Sequence, residues 1–454
     1  MTRAPDQDMS KMQATPPDAT PLPGGARYVD AFVVDINGNM LGKRMPAGDW
    51  AGMQKSGVQF SAAAVVLDAR GMSQGPAGIG GEDGDPDGIG RPLPWSVAPV
   101  NWARENTAQC LLDMRDAATN EPLWFDPRAV LAGVIDRCAA DGIRPVVACE
   151  LEFYLLDPRR TPDGGIQPPI HSRTGAPQRM ATNLNIQQVE DYGDVLGAIV
   201  DACTAQGLRT GTVVAEYGLG QFEINLLHTA DPLRAADEAA LMRRVVKGVT
   251  RAHGLEATFM AKPYPDQAGS GLHIHMSLAD EDGSNRFAAE NGETLLHSAI
   301  AGLRAFHSDS FAFFGPNFGS YRRFAPGPYV PLRPTWGYNS RSVSFRIPAG
   351  DQRQRRVEHR VAGADASPHL VMAALLAAAH HGIVNKLPLG PNEPECTAWT
   401  APENLPVALD RLCRSTLIPD YIPARFLNLY RELKLKEFAD LFAAVTPAEY
   451  DFYL

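Results

Sequence analysis

The sequence predicts an α+β fold: a small strand-rich N-terminal part followed by a larger part in which helices and strands alternate. Between Tyr28 and about Met114, runs such as YVDAFVVDI and FSAAAVVLDA are rich in β-branched and aromatic residues and are separated by turn-rich segments. From FDPRAVLAGVIDRCAADGI onward, helical periodicity alternates with strand-like runs. A chain of 454 residues has room for two or three domains.

The elements follow in order. The opening stretch, MTRAPDQDMSKMQATPPDATPLPGGA, carries acids and prolines without the apolar core of a secretory signal, so residues 1–26 are expected to be a disordered tail. A strand-rich domain over 27–121 ends in proline and glycine, and the second domain is expected over 122–454. Within it come a strand at VACELEFYLL (147–156), a helix over 192–207, strands at RTGTVVAEYG and QFEINLLH, and a long helix over 232–254. Helices close the chain at 405–413 and 422–445. The Ala/Leu-rich run before His380 and His381 is too short to cross a bilayer and reads as a buried helix.

Composition excludes several classes of function. A net charge of −10 argues against a nucleic-acid footprint and agrees with a cationic ligand. The six cysteines are scattered without a CxxC pair, so neither a disulfide framework nor a zinc cluster is expected, and a reducing cytoplasm is the expected compartment. No GxxxxGK[ST] loop, no GxGxxG after a strand and no internal repeat is present. DGDPDGIG begins like a calcium loop at Asp83, but its last ligand position falls on Pro94, so it reads as a turn-rich loop.

Chemistry emerges from the period of two in the strands. Glu150 and Glu152 project from one face of VACELEFYLL, and Gln221 and Glu223 from one face of QFEINLL. His273, His275 and Ser277 share a face of GLHIHMSL, as do Arg356, Glu358 and Arg360 in RRVEHRV. A half-exposed sheet gives the same alternation for any one strand. Solvent-facing stripes, however, usually contain lysine, and these four contain none while concentrating Glu, His and Arg. Such stripes are costly to bury unless they serve one another or a ligand. Glu150, Glu152, Glu216, Glu223 and Glu358 with imidazoles and no thiolate suit magnesium or manganese. Guanidiniums beside such ions suit phosphate, which together make a phosphoryl-transfer toolkit without a P-loop.

From about Tyr28 to its end the chain resembles the glutamine synthetase superfamily, through GDPDG, ELEF, EYGLGQFEI, TFMAKPYPDQAGSGLHIHMSL, RFAPGPYVP, NSRSVSFRIP and RRVEHRVAGADASPHL. The resemblance implies a small β-grasp-like N-terminal domain followed by a large glutamine-synthetase-type α/β catalytic domain. It implies a homo-oligomeric ring, a dodecamer, with active sites shared between subunits, and ATP with magnesium or manganese as cofactors. It places Glu152, Glu216 and Glu223 on one metal and Glu150, His273 and Glu358 on the other. His275, Ser277, Arg346 and Arg356 fall on the nucleotide side. Gly269, Arg323, Arg341 and Arg360 fall on the glutamate side, with Arg341 also near the transferred phosphoryl group. The implied chemistry is phosphorylation of the γ-carboxylate of L-glutamate, then attack by an amine.

Departures from the family pattern bear on the amine. Where ammonia-using members carry a flap glutamate in PGYEAP, this chain has PGPYVP with Tyr329; where they carry the aspartate of FDGSS, FSAAA has Ser61. Ala268 replaces a common asparagine near the glutamate amino group. Losing two anions weakens the hold on ammonium and leaves an aromatic wall, so the sequence resembles the γ-glutamyl-amine ligase branch, the γ-glutamylputrescine and γ-glutamylpolyamine synthetases among them. The alternatives are an ammonia-using glutamine synthetase and a non-catalytic structural or sensor relative. All six family ligand positions are filled, which speaks against the latter. Neither nucleic acid nor membrane is an expected partner.

Overall fold

Two sheets organise the chain, in a computed structural model that describes residues 20–325, 329–391 and 401–454. Most of the expected N-terminal tail, and Pro326 and Gly327 of the flap motif, lie outside the described residues. The first sheet comprises β1 (Tyr28–Val34), β2 (Met40–Pro46), β3 (Val58–Ser61), β4 (Asp87–Pro92), β5 (Ala98–Pro99) and β6 (Thr107–Asp116), in the order β2-β1-β6-β4-β3 with β5 on β6. Only the β1–β6 pair is parallel. A short helix, α1 (Trp50–Ser56), joins β2 to β3 and buries Trp50 and Met53.

The β1–β2 turn is built by Asp35, whose carboxylate accepts from the backbone N–H of Asn37 at 2.9 Å and of Asn39 at 2.7 Å. Gly38, at φ 78°, supplies the left-handed residue the turn needs. FSAAAVVLDA departs from expectation. It is a strand only through Ser61, then winds into a 3-10 turn over Ala62–Val66. The Ser61 hydroxyl accepts from the Ala63 N–H at 3.2 Å, a local bond that competes with continued sheet pairing.

The second sheet comprises β7 (Arg144–Leu156), β8 (Thr210–Ala215), β9 (Gln221–Leu226), β10 (Glu256–Thr258), β11 (Leu272–Ala279), β12 (Trp336–Tyr338), β13 (Phe345–Ile347) and β14 (Val357–His359). Its order is β12-β13-β14-β11-β7-β9-β8 with β10 on β7, antiparallel except for β12–β13. Around it lie α2 (Pro127–Ala140), α3 (Ile186–Asp191), α4 (Gly193–Ala205), α5 (Pro232–Ala252), α6 (Gly292–Phe306), α7 (Phe311–Phe314), α8 (Pro368–Val384), α9 (Leu405–Arg414), α10 (Ala424–Phe442) and α11 (Pro447–Tyr453). Both α2 and α5 open on an aspartate followed by proline. Asp126 accepts from the Arg128 N–H at 2.8 Å and Asp231 from the Arg234 N–H at 3.0 Å.

Leu151 of β7 lies between Leu272 of β11 and Ile224 of β9, and all three are buried. This apolar face packs on α5, so the alternate residues of the same strands are left for the opposite face. Helices α6 and α8 approach closely enough that a Cβ on Gly302 would fall 1.9 Å from the Ala378 carbonyl oxygen; only glycine permits the contact. The helix expected over 422–445 is α10, and a further short helix, α11, follows it. The TPAE stretch places Thr446 and Glu449 in a capping box that starts α11. Among the described residues no helix is long and apolar enough to cross a membrane.

The sheets are tied by charge. Arg128 of α2 lies 2.8 Å from Asp113 of β6 and 3.2 Å from Asp237 of α5. Arg244 of α5 donates to Asp30 of β1 at 2.8 Å and to Gln109 of β6 at 3.1 Å.

Candidate active site

Strand register decides which polar side chains meet. On β7, Glu150 faces His273 of β11 on one side and Asn225 of β9 on the other, while Glu152 faces Glu223 of β9. On the far side of β11, His275 faces Glu358 of β14, which in turn faces Arg346 of β13. Five adjacent strands thus present their polar residues on one face.

The distances confirm a cluster. His273 lies 3.5 Å from Glu150 through Nδ1 and 3.9 Å from Glu152 through Nε2, and His275 Nε2 lies 2.8 Å from Glu150. Glu150, His273 and Glu358 can each turn a ligand atom within 4.8 Å of the others, and so can Glu152, Glu223 and His273. The first trio is the one the family resemblance names. The second contains His273 where the resemblance names Glu216, so the imidazole stands between the two groups.

The electrostatics are those of a cation site. Glu223 is pushed well above the usual carboxylate range by burial and then by the charges of Glu150, Glu152, Glu216 and Glu358. Burial and Glu152 push Glu216 up to about 7, against Arg341 and Arg360. Glu150 goes the other way: burial opposes its ionisation, but His273 and His275 hold it below its ordinary value. Directly opposed carboxylates such as Glu152 and Glu223 destabilise a sheet unless a cation lies between them. An oxygen-rich set with one shared imidazole fits magnesium or manganese.

Arginines border the acids. Glu358 accepts from Arg346 at 2.8 Å and from Arg360, and although burial resists its ionisation, Arg360, His273 and His275 hold it below the ordinary range. Arg356 donates to Nδ1 of His275 at 3.0 Å, and the other ring nitrogen, Nε2, lies 2.8 Å from Glu150. Buried Arg323 is held by the carbonyls of Val361 at 2.6 Å and Arg360 at 3.3 Å. Arg341 is exposed and acts on Glu216 through its charge. Ser277 lies one strand period beyond His275, opposite Val146. Gly269 accepts at its carbonyl from Gln221 at 3.0 Å, and a Cβ there would meet Ala261 and Arg323 at 2.8 Å. The Ala268 carbonyl accepts from the Tyr154 hydroxyl at 2.6 Å.

Tyr329 stands at φ 64°, in the left-handed region, and its ring centroid lies 6.0 Å from that of Tyr217. Both rings are about half exposed. Tyr217 follows Glu216 directly in AEYG; its position beside a candidate ligand was the available signal, and strand periodicity passes over it because β8 ends at Ala215. Asn225, whose amide donates to Glu150 at 3.1 Å, went unread although the same period of two puts it on the face of Gln221 and Glu223. Ser61 is apart from this cluster. It lies on β3, its hydroxyl 2.5 Å from Asp85.

Residues 125–453 match the glutamine synthetase catalytic domain. The chain is 38% identical to the gamma-glutamylputrescine synthetase PuuA of Escherichia coli (strain K12) over 434 residues, covering 94% of this chain and 92% of that protein. It is 32% identical to a glutamate–isopropylamine ligase of a Pseudomonas species over 360 residues, 78% of this chain and 77% of that one. Its fold is similar to the solved structure of a GmaS/ADP complex, with a TM-score of 0.79 and 25% identity across 94% of this chain and 97% of that one.

Proposed function

The chain belongs to the glutamine synthetase family, and from that premise we propose that it is an ATP-dependent ligase joining the γ-carboxylate of L-glutamate to an alkylamine or polyamine. The observation that carries the amine is the Tyr217–Tyr329 pair beside Glu216. Where a flap carboxylate would attract ammonium, two aromatic faces 6.0 Å apart offer contact to an alkyl chain and a cation–π surface to a charged tail. Similarity to relatives named for putrescine and isopropylamine supports the same reading.

In this reading Glu150, His273 and Glu358 hold one divalent cation, and Glu152, Glu223 and Glu216 the other, with His273 within reach of both. Such ions, when bound, offset charge on the transferred phosphoryl group and on its leaving group. His275, Ser277, Arg346 and Arg356 face the nucleotide; Gly269, Arg323, Arg341 and Arg360 orient glutamate. A γ-carboxylate oxygen displaces ADP from the terminal phosphorus of ATP, and the amine nitrogen then displaces phosphate from the acyl phosphate and loses a proton. Arg341, next to Glu216, is placed to stabilise the phosphoryl oxygens, and Tyr329 to exclude the water that would hydrolyse the acyl phosphate.

Residues 27–121 form the N-terminal domain and 122–454 the catalytic domain. The active form is a homo-oligomeric ring. Leu441, Phe442, Val445, Phe452, Tyr453 and Leu454 are exposed at the C-terminal end, an apolar surface suited to burial against another copy. Sedimentation of the active enzyme as a single chain would overturn the ring. The five cysteines among the described residues are unpaired, in keeping with the cytoplasm. Phosphate release from ATP and glutamate, measured with a panel of amines, tests the activity. Release is expected with an alkylamine or polyamine well above that with ammonium; equal rates would make the protein an ammonia-using synthetase.

A further inference from the structure

On the reverse of the catalytic sheet, where the β1–β2 hairpin meets α5, lies a cavity of about 220 Å³. Four cations of one helix line it, Arg243, Arg244, Lys247 and Arg251, together with Trp102 and Asn39. It is separate from the acidic cluster. Arg243 acts on Cys149, which alternates with Glu150 along β7 and so points to the opposite face.

The charges around this cavity are not balanced from within. Arg244 is satisfied by Asp30 and Gln109, and Asp30 is shared with Arg44 at 2.7 Å. Arg243 is only 6% exposed; one terminal nitrogen donates to the Ala366 carbonyl, while its enclosed Nε has no partner. Asp365, the carboxylate that Arg243 feels, accepts from Asn317 at 2.9 Å and Ser320 at 2.6 Å through one oxygen; its other oxygen has no partner and makes no bond to Arg243. Among the described residues neither Lys247 nor Arg251 has an ion pair, and both stand exposed. A buried guanidinium nitrogen without an acceptor is unusual, since such groups nearly always find one. In a chain of net charge −10, four cations gathered about one hollow make a local field of the opposite sign.

Two glycines keep the hollow in shape. A Cβ on Gly38 would come 2.8 Å from a terminal nitrogen of Arg243, and one on Gly248 would fall 2.2 Å from the indole nitrogen of Trp102. The hairpin tip can therefore sit over the guanidinium, and the nitrogen edge of the indole can close on the helix.

We propose that this cavity binds a phosphate group, as free phosphate or as a small phosphate ester. The unpartnered Nε of Arg243 offers a buried N–H donor, and the ammonium and guanidinium at the mouth match a dianion better than a single carboxylate. The occupant joins the hairpin of the first sheet to α5, the helix that supports β7. Phosphate there tightens the two sheets against each other from behind the catalytic face, and makes the site a point of control by a phosphorylated effector or by phosphate itself.

The test uses the full-length enzyme and a Lys247→Met/Arg251→Met variant, whose changes lie at the open mouth and away from the catalytic face. Inorganic phosphate is titrated calorimetrically in EDTA at constant ionic strength, and Tm is followed in parallel against sodium chloride. The wild type should bind phosphate and gain Tm beyond the chloride control; the variant should bind about tenfold more weakly or worse, with its effector-free ligase rate unchanged. AMP forms the second arm: tighter binding than phosphate, lost in the variant, assigns a nucleotide ester, whereas a response to phosphate alone assigns the free ion. Identical phosphate binding in both proteins would move the ion to the catalytic arginines and overturn the proposal. So would no binding in either, or a variant whose only change is a smaller mass in solution, which would make the cations a contact between copies.

Discussion

Glu223→Gln is expected to lower ligase turnover by about 10³-fold while raising the Tm of the metal-free protein by roughly 1–3 °C. The two effects have one cause. Glu223 faces Glu152 across adjacent strands and feels Glu150, Glu216 and Glu358 as well, all in a place that burial has stripped of water. With no cation to share, this carboxylate costs stability, either by repulsion or by taking up a proton. Glutamine keeps the volume, removes the charge and can donate its amide to Glu152, so the metal-free sheet gains. The same change withdraws an anionic ligand from the candidate metal group, so magnesium should lift the Tm of the wild type more than that of the variant. A thermal melt with EDTA and with magnesium, beside a phosphate-release assay, measures both. A lower metal-free Tm with turnover intact would make Glu223 an ordinary buried structural acid.

How far this site could be read from the sequence depends on which physical rule placed each residue. The alternation of acids, imidazoles and guanidiniums in four strands is a period-of-two pattern, and the structure puts them on one face because the alternate residues, Leu151, Ile224 and Leu272, are committed to the core. Register is another matter. That Glu152 meets Glu223, and that His273 falls between two carboxylate groups, depends on pairing between segments more than 50 residues apart, which no local pattern encodes. FSAAAVVLDA failed as a strand because one serine hydroxyl offered the backbone a nearer partner. The phosphate-sized hollow was illegible for the same reason as the register: α5 reads as a helix carrying several basic residues until the hairpin at Gly38 is laid over it.

Tyr329→Glu is expected to shift the ratio of kcat/KM for ammonium to that for a short alkylamine by roughly 10–100-fold in favour of ammonium. The ring now standing 6.0 Å from Tyr217, the residue that follows Glu216, would be replaced by a carboxylate, which draws a small cation and removes one apolar wall. Absolute turnover should fall, because Tyr329 holds a left-handed backbone conformation that glutamate must also adopt without a shell built around it. Adding Ser61→Asp, which family comparison suggests as a companion, is the poorer design: Ser61 lies 2.5 Å from Asp85, and a second carboxylate there would repel the first. Tyr217→Ala is the better partner experiment. It removes the other aromatic face without adding charge, so it should raise KM for the alkylamine and leave ammonium little changed. The alkylamine should have an uncharged tail, since a polyamine's second ammonium would also be attracted by the new carboxylate and mask the change. If Tyr329→Glu leaves the ratio where it was and Tyr217→Ala spares the alkylamine, the two rings do not form the amine pocket, and its walls must be sought elsewhere around Glu216.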